Sequence, residues 1–102
     1  MAQEAYIGKY HEFPRLLGKT VRIDERELAV FRLSNDEIRV IENKSPFKGG
    51  VLAEGMVSGE YLYDPLYDWK INLTDGNVQA PDSGNVKTYP VKIEEDKVFV
   101  TL

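Results

Sequence analysis

The chain has 102 residues and a formal net charge of −4, which fits one domain with one small core. Because it contains no cysteine, disulfides, thiolate zinc sites and thiolate-held iron–sulfur clusters are excluded. Its Lys and Arg residues are scattered rather than gathered into a basic stripe, so nucleic acid is not an expected partner. No export signal or membrane-spanning apolar run occurs, so we expect a cytoplasmic protein with no membrane contact.

The first part of the chain predicts one short helical turn followed by three strands. In "HEFPRLLG", residues 11–18, Pro14 suits a first helical position and Gly18 a helix end. Beyond Gly18, apolar and polar residues alternate, and the polar groups "DER" and "SND" interrupt the alternation. The pattern therefore predicts an antiparallel meander of strands at 19–23, 27–33 and 37–42.

The second of these strands carries apolar side chains on both faces. Leu28 and Val30 share one face, and Ala29, Phe31 and Leu33 share the other. A strand that is apolar on both faces is buried on both. We therefore expect a closed small barrel or a sandwich.

The C-terminal part predicts further hairpins. "EYLYD" and "WKINL" have strand character, and Asp75-Gly76 follows as a turn signal, because a tight primed turn needs a positive φ. Strands are predicted at 86–94 and 97–102, with a turn at Glu95-Asp96, and Pro90 marks an edge or a bulge. The prediction is an all-β fold of eight or nine short strands.

The middle of the chain is the exception. Residues 43–59 show no clean alternation and contain glycines at positions 49, 50, 55 and 59. A compact domain seldom keeps a long irregular segment unless that segment binds something or covers a core. Two loops in and after this segment, "SPF" at 45–47 and "DPLY" at 64–67, therefore need an explanation.

The spacing of the two loops resembles that of a known metal site. With Cys at Ser45 and Asp64 and His at Phe47 and Tyr67, the sequence would be C-P-H, sixteen residues, then C-P-L-H, which is the ligand pattern of a Rieske [2Fe–2S] centre. The surrounding "EN", "GGVLAEG" and "PLYDW" also resemble the cluster-binding subdomain of the Rieske-like family.

The resemblance covers nearly the whole chain. It implies a small antiparallel Rieske-like β-barrel or sandwich, with residues 1–102 as one domain. About residues 43–73 would correspond to the inserted, loop-rich cluster-binding subdomain.

The departure from the family lies in the ligands themselves. Phe47 has no donor atom, and Ser45, Asp64 and Tyr67 do not replace two thiolates and an imidazole. We therefore expect no cluster, cofactor or metal in this chain and no catalytic residue. The cluster-free members that this chain resembles are small subunits of assimilatory NAD(P)H-dependent nitrite reductase. That resemblance implies a large partner subunit with FAD, siroheme and an iron–sulfur cluster, which reduces nitrite to ammonium.

Two other functions stay open at this point. The same scaffold could serve as a cluster-free adaptor in another redox system, such as a ring-hydroxylating oxygenase. An electron-carrying ferredoxin is disfavoured because the chain has no Cys. We expect the loops to dock a partner rather than merely to close the core, and the docking residues proposed from the sequence are Pro46, Phe47, Lys48, Pro65, Leu66 and Tyr67.

The loops are predicted to hold each other in place of a cluster. Phe47 and Tyr67 would pack ring against ring, an arrangement that adds roughly 0.5 to 1.5 kcal/mol beyond area burial. Ser45 would donate a hydrogen bond to the Asp64 carboxylate. Trp69 is expected to support the core or a loop rather than to touch a partner.

The remaining polar residues suggest no reactive site. His11 stands alone in a predicted loop, so a catalytic or metal role is not expected. Asp64 and Asp68, with Glu60 nearby, are expected to be solvated loop groups rather than a cation site. No nucleotide-binding or hydrolase motif occurs.

Overall fold

The structure is a computed structural model that describes residues 3–44, 51–65, 69–80 and 84–102. Within these ranges the chain forms ten β-strands and two 3-10 turns, and no helix there is long and apolar enough to cross a bilayer. The 3-10 turns are Tyr10–Glu12 and Leu52–Glu54. The strands are β1 (Glu4–Lys9), β2 (Gly18–Ile23), β3 (Arg26–Arg32), β4 (Ile38–Glu42), β5 (Met56–Ser58), β6 (Tyr61–Tyr63), β7 (Lys70–Asn72), β8 (Thr88–Tyr89), β9 (Val91–Glu94) and β10 (Lys97–Thr101).

The strands form three antiparallel sheets. The four-stranded sheet has the order β2-β3-β4-β8, and the two three-stranded sheets are β1-β10-β9 and β5-β6-β7. In the four-stranded sheet, Val30 of β3 pairs with Lys19 of β2 and with Val40 of β4. The predicted meander of three strands is therefore confirmed.

The four-stranded sheet is buried on both faces. One face contributes Ala29 and Phe31 to a core that also contains Leu62 of β6 and Ile71 of β7. The opposite face contributes Leu28, Val30 and Val40 to a second core with Val98 and Val100 of β10. Each fully buried aliphatic side chain stabilises the fold by about 1.5 to 3 kcal/mol. The predicted all-β sandwich with two apolar strand faces is confirmed.

The helical turn predicted from Pro14 to Gly18 is wrong. The 3-10 turn lies before the proline, at Tyr10–Glu12, and Gly18 is the first residue of β2. Gly18 is needed there for close packing, because a Cβ atom at this position would lie 2.1 Å from the Ala53 backbone oxygen. Glycine is used both at helix ends and where two backbones approach closely, so the sequence alone did not distinguish the two roles at Gly18.

Two strand predictions are revised by the structure. Strand β1 was not predicted, and its register shift between Tyr6 and Gly8 interrupts the alternation that would have marked it. The strand predicted at 86–94 is two strands, because the chain leaves the four-stranded sheet at Pro90 and enters the β1-β10-β9 sheet. Proline lacks the N–H that a continuous strand would donate.

Both turns predicted near the C-terminal half are present. Glu95 and Asp96 connect β9 to β10, in which Glu94 pairs with Lys97. Gly76 has a φ of +79°, and its N–H donates to the Asn72 oxygen at 2.7 Å. The turn after β7 is therefore longer than the two-residue turn that the Asp-Gly signal suggests.

Candidate functional site

The described residues give the bases of both loops. Asn43, Lys44 and Val51 flank the first loop, and Asp64, Pro65 and Trp69 flank the second. Of the four ligand positions, only Asp64 lies within the described residues. The docking candidate Pro65 is also described. The predicted ring packing and the remaining candidates lie outside the described residues, and these are Ser45, Pro46, Phe47, Lys48, Leu66, Tyr67 and Asp68.

The base of the first loop is fastened by the buried side chain of Asn43. Its Nδ2 donates to Thr20 Oγ1 at 3.1 Å and to Glu27 Oε1 at 2.8 Å. Its Oδ1 accepts a hydrogen bond from the Ala53 N–H at 2.7 Å. One side chain therefore joins β2 and β3 to the 3-10 turn at Leu52–Glu54, and it holds together the two ends of the first loop.

Asn43 was not selected as a site residue from the sequence. The signal was the "EN" pair at the end of β4, which entered only as part of the family resemblance. A buried asparagine needs partners for its amide donors and acceptor. Its position directly before an irregular segment could have identified it as an anchor.

The base of the second loop is closed through the backbone. The Asp64 N–H donates to the Trp69 oxygen at 2.9 Å. Trp69 is half-buried and packs against the core that contains Leu62 and Ile71. The predicted supporting role of Trp69 is confirmed.

The prediction that Asp64 is a solvated loop group is wrong, because the residue is only 1% exposed. The period-two alternation of a strand places residues i and i+2 on one face. Asp64 follows β6 and continues the inward face of Leu62, which is fully buried. Glu60 lies in the turn before β6, outside the strand, and is exposed.

The donor set does not fit a Rieske cluster. The chain has no thiol to offer the first iron, and Asp64 presents carboxylate oxygens at the position of the second loop's thiolate. The single histidine, His11, lies exposed in the turn after β1, whereas the second loop connects β6 and β7 of a different sheet. Within the described ranges, no group of three or more His, Cys, Asp or Glu could hold a metal ion.

The main ionic cluster lies at the opposite end of β4 from Asn43. Asp36, in the turn before β4, accepts from Arg15 Nε at 2.5 Å and from Arg32 Nε at 3.0 Å. The hydrogen bond from Arg15 is the main reason that the pKa of Asp36 is lowered to about 2. Tyr10 donates to the Asp36 backbone oxygen, and the Arg32 guanidinium lies 4.4 Å from the Tyr10 ring centroid. This cluster fastens the segment after β1 to the β3–β4 turn.

The sequence profile of the Rieske-like [2Fe-2S] domain family matches residues 5–101. The chain belongs to this family. The positions at which the sequence resembles the Rieske ligand pattern hold Ser45, Phe47, Asp64 and Tyr67 in this chain.

Three comparisons place the chain among its relatives. It is 34% identical over 92 residues to the Nitrite reductase [NAD(P)H] large subunit of Klebsiella oxytoca, covering 85% of this chain but only 10% of that protein. It is 32% identical over 95 residues to the ferredoxin component of the naphthalene 1,2-dioxygenase system of Pseudomonas aeruginosa, covering 90% of this chain and 88% of the ferredoxin. A Mycobacterium tuberculosis protein assigned as a candidate small subunit of NADH-dependent nitrite reductase superposes with a TM-score of 0.91 at 23% identity, over 100% and 96% of the two chains.

Proposed function

We propose that this chain is the small, non-catalytic subunit of a cytoplasmic assimilatory NAD(P)H-dependent nitrite reductase. In this proposal it binds the large subunit, which carries FAD, siroheme and an iron–sulfur cluster and reduces nitrite to ammonium. The observation that carries the proposal is a Rieske-like domain whose ligand positions hold Ser45, Phe47, Asp64 and Tyr67. Because the cluster ligands are replaced, we propose that the domain acts by binding its partner and not by carrying electrons.

The match to the Klebsiella large subunit supports this choice of partner. In that protein, a segment similar to this chain forms about a tenth of a nitrite reductase polypeptide. A domain linked to its enzyme meets it at a high effective concentration. A separate chain with the same role must instead recognise the enzyme through its own surface.

The proposed docking surface includes the tips of both loops. Pro65 is exposed at the start of the second loop. The other proposed contacts are Pro46, Phe47, Lys48, Leu66 and Tyr67. Lys44 and Val51 are exposed at the base of the first loop, beside Asn43, and the hydrogen bonds of Asn43 hold this base to β2, β3 and the 3-10 turn at Leu52–Glu54.

Co-expression with the large subunit from the same genome tests the proposal. We expect the two chains to co-elute, and we expect nitrite-dependent NAD(P)H oxidation to be higher or longer-lived with the small chain than without it. An unchanged rate and separate elution would contradict the proposal. Iron analysis of the small chain alone is a second test, and visible absorbance with two irons per chain would exclude the cluster-free interpretation.

A second function is favoured by one specific observation, the 32% identity over 88% of the dioxygenase ferredoxin component. The chain would then be a cluster-free adaptor of a ring-hydroxylating oxygenase. It would not carry electrons as a Rieske protein does, because it has neither thiolates nor paired imidazoles. Co-elution with an oxygenase and not with the nitrite reductase large subunit would select this alternative.

A further inference from the structure

The β5-β6-β7 sheet has one buried and one outward face. Val57, Leu62 and Ile71 point into the core. The alternate residues form the other side, which we term the outer face. The outer face consists of two cross-strand rows, Met56–Tyr63–Lys70 and Ser58–Tyr61–Asn72.

The outer face has the composition of a binding surface. Met56 is 73% exposed, more than any other large hydrophobic residue in the described ranges. Tyr61 and Tyr63 are half-buried on the same face. Methionine and tyrosine are enriched at the cores of protein interfaces, and methionine adapts its shape to different partners.

The charge of the outer face differs from that of the chain. The chain has a net charge of −4, but the outer face carries Lys70 and no carboxylate. The Lys70 Nζ lies 4.2 Å from the Tyr61 ring centroid, and it pairs with no carboxylate among the residues that the structure describes. The outer face is therefore complementary to a surface with apolar groups and a carboxylate.

The outer face is continuous with the second loop. Tyr63 ends β6 and Lys70 begins β7, so both residues flank the loop at 64–69. The Met56–Tyr63–Lys70 row is therefore the end of the sheet nearest to the exposed Pro65. A partner that contacts Pro65 would therefore also reach this row.

We propose that the outer face is part of the docking surface for the large subunit of the nitrite reductase. Met56 and Tyr63 are the apolar anchors, and Lys70 pairs with a carboxylate of the large subunit. This inference rests on the proposed function and names the part of the chain that performs it.

The test uses purified large subunit and full-length small chain, with affinity measured by calorimetry. Met56→Glu places a carboxylate within the proposed contact in the place of an apolar anchor, and we expect the affinity to fall about tenfold or more. Ile93→Glu is the matched control, because Ile93 is also an exposed aliphatic strand residue, at 44%, but lies on β9 of another sheet. We expect the Ile93→Glu variant to bind the large subunit with wild-type affinity. Thermal melting of both variants measures whether each is folded.

A second pair of variants tests the charge. Lys70→Gln should weaken binding and reduce its dependence on salt, because a lysine–carboxylate pair is screened by ions. Lys87→Gln is the control, since the Lys87 Nζ also lies over a tyrosine ring, 5.2 Å from the Tyr89 centroid, but away from the outer face. Its affinity and salt dependence should match the wild type.

The outcomes separate this inference from the proposed function. If the wild-type chain does not bind the large subunit, the proposed function fails. If the wild-type chain binds but Met56→Glu and Lys70→Gln bind as tightly, the outer-face inference fails and the proposed function stands. If sedimentation shows a dimer of this chain that Met56→Glu abolishes, a second copy occupies the face, and the inference is overturned.

Discussion

The substitution Asn43→Ala tests whether one side chain fastens the first loop to the sheet. The Ala53 N–H would lose its acceptor, and an unsatisfied donor costs about 1 to 3 kcal/mol when it is sheltered from water. Losing the hydrogen bond from Asn43 to Glu27 costs less free energy, because the Glu27 side chain is 37% exposed and water can replace the Asn43 amide as donor. With the bond to Thr20, the total is about 2 to 4 kcal/mol, out of a stability of about 5 to 15 kcal/mol for a typical domain.

Urea unfolding measures this loss as a lower midpoint at an unchanged slope. Thr20→Val is the matched control, because it removes only the 3.1 Å bond to Asn43, and we expect it to cost less than about 1 kcal/mol. Asn43→Asp keeps the acceptor for Ala53 but places a carboxylate against Glu27. We expect that variant to be destabilised at neutral pH and to recover part of the loss as the carboxylates are protonated.

Hydrogen exchange provides the local test. In Asn43→Ala, the Ala53 amide should exchange faster than in the wild type, and more so than amides in β10, which belong to the other core. The reasoning is refuted if the variant loses less than about 0.5 kcal/mol and the Ala53 amide keeps its wild-type protection.

Two further predictions concern backbone packing and acid stability. Gly18→Ala should cost about 1 to 3 kcal/mol, because its Cβ would meet the Ala53 oxygen at 2.1 Å. Gly59→Ala, with a φ of +60° but open space around it, should cost less than Gly18→Ala, about 1 kcal/mol, and a urea midpoint for Gly18→Ala at or above that of Gly59→Ala would contradict the packing argument. Asp36 has a folded pKa of about 2, below its ordinary 3.8, so its contribution to stability is complete above that ordinary value and is lost as the pH falls through about 2. Asp36→Asn should therefore flatten the acid dependence of unfolding between these limits, and an unchanged pH profile would show that Arg15 does not stabilise the fold through this pair.

The sequence was informative where side-chain alternation is regular. Strands β2, β3 and β4 were predicted because they are short apolar-rich segments, alternating in β2 and apolar on both faces in β3, and because polar turns separate them. Alternation failed at β1, where the register shift between Tyr6 and Gly8 disturbs it, and at Pro90, where one apparent strand contributes to two sheets. In both places, pairing with strands that are distant in sequence decides where the strand begins or ends. The local sequence pattern carries no information about that pairing.

The site was predictable in position more than in chemistry. The family spacing identified both loops, and the "EN" pair contains Asn43, the anchor that the structure finds. Asp64 was misjudged because carboxylates are usually exposed, although its two-residue spacing from Leu62 indicated the inner face. Hydrogen-bond partners that are distant in sequence, such as Thr20 and Ala53, are not visible in the local pattern.

The bases of the loops explain how a Rieske-like domain tolerates the replacement of its ligands. In domains whose metal supplies the folding energy, removal of the ligands unfolds the chain. Here the first loop is closed by the Asn43–Ala53 hydrogen bond and the second by the Asp64–Trp69 hydrogen bond. Both contacts lie within the chain, and Ala53 and Trp69 both pack against the core that contains Leu62 and Ile71. Because neither contact uses a ligand position's side chain, substitution at the four ligand positions is compatible with the same scaffold.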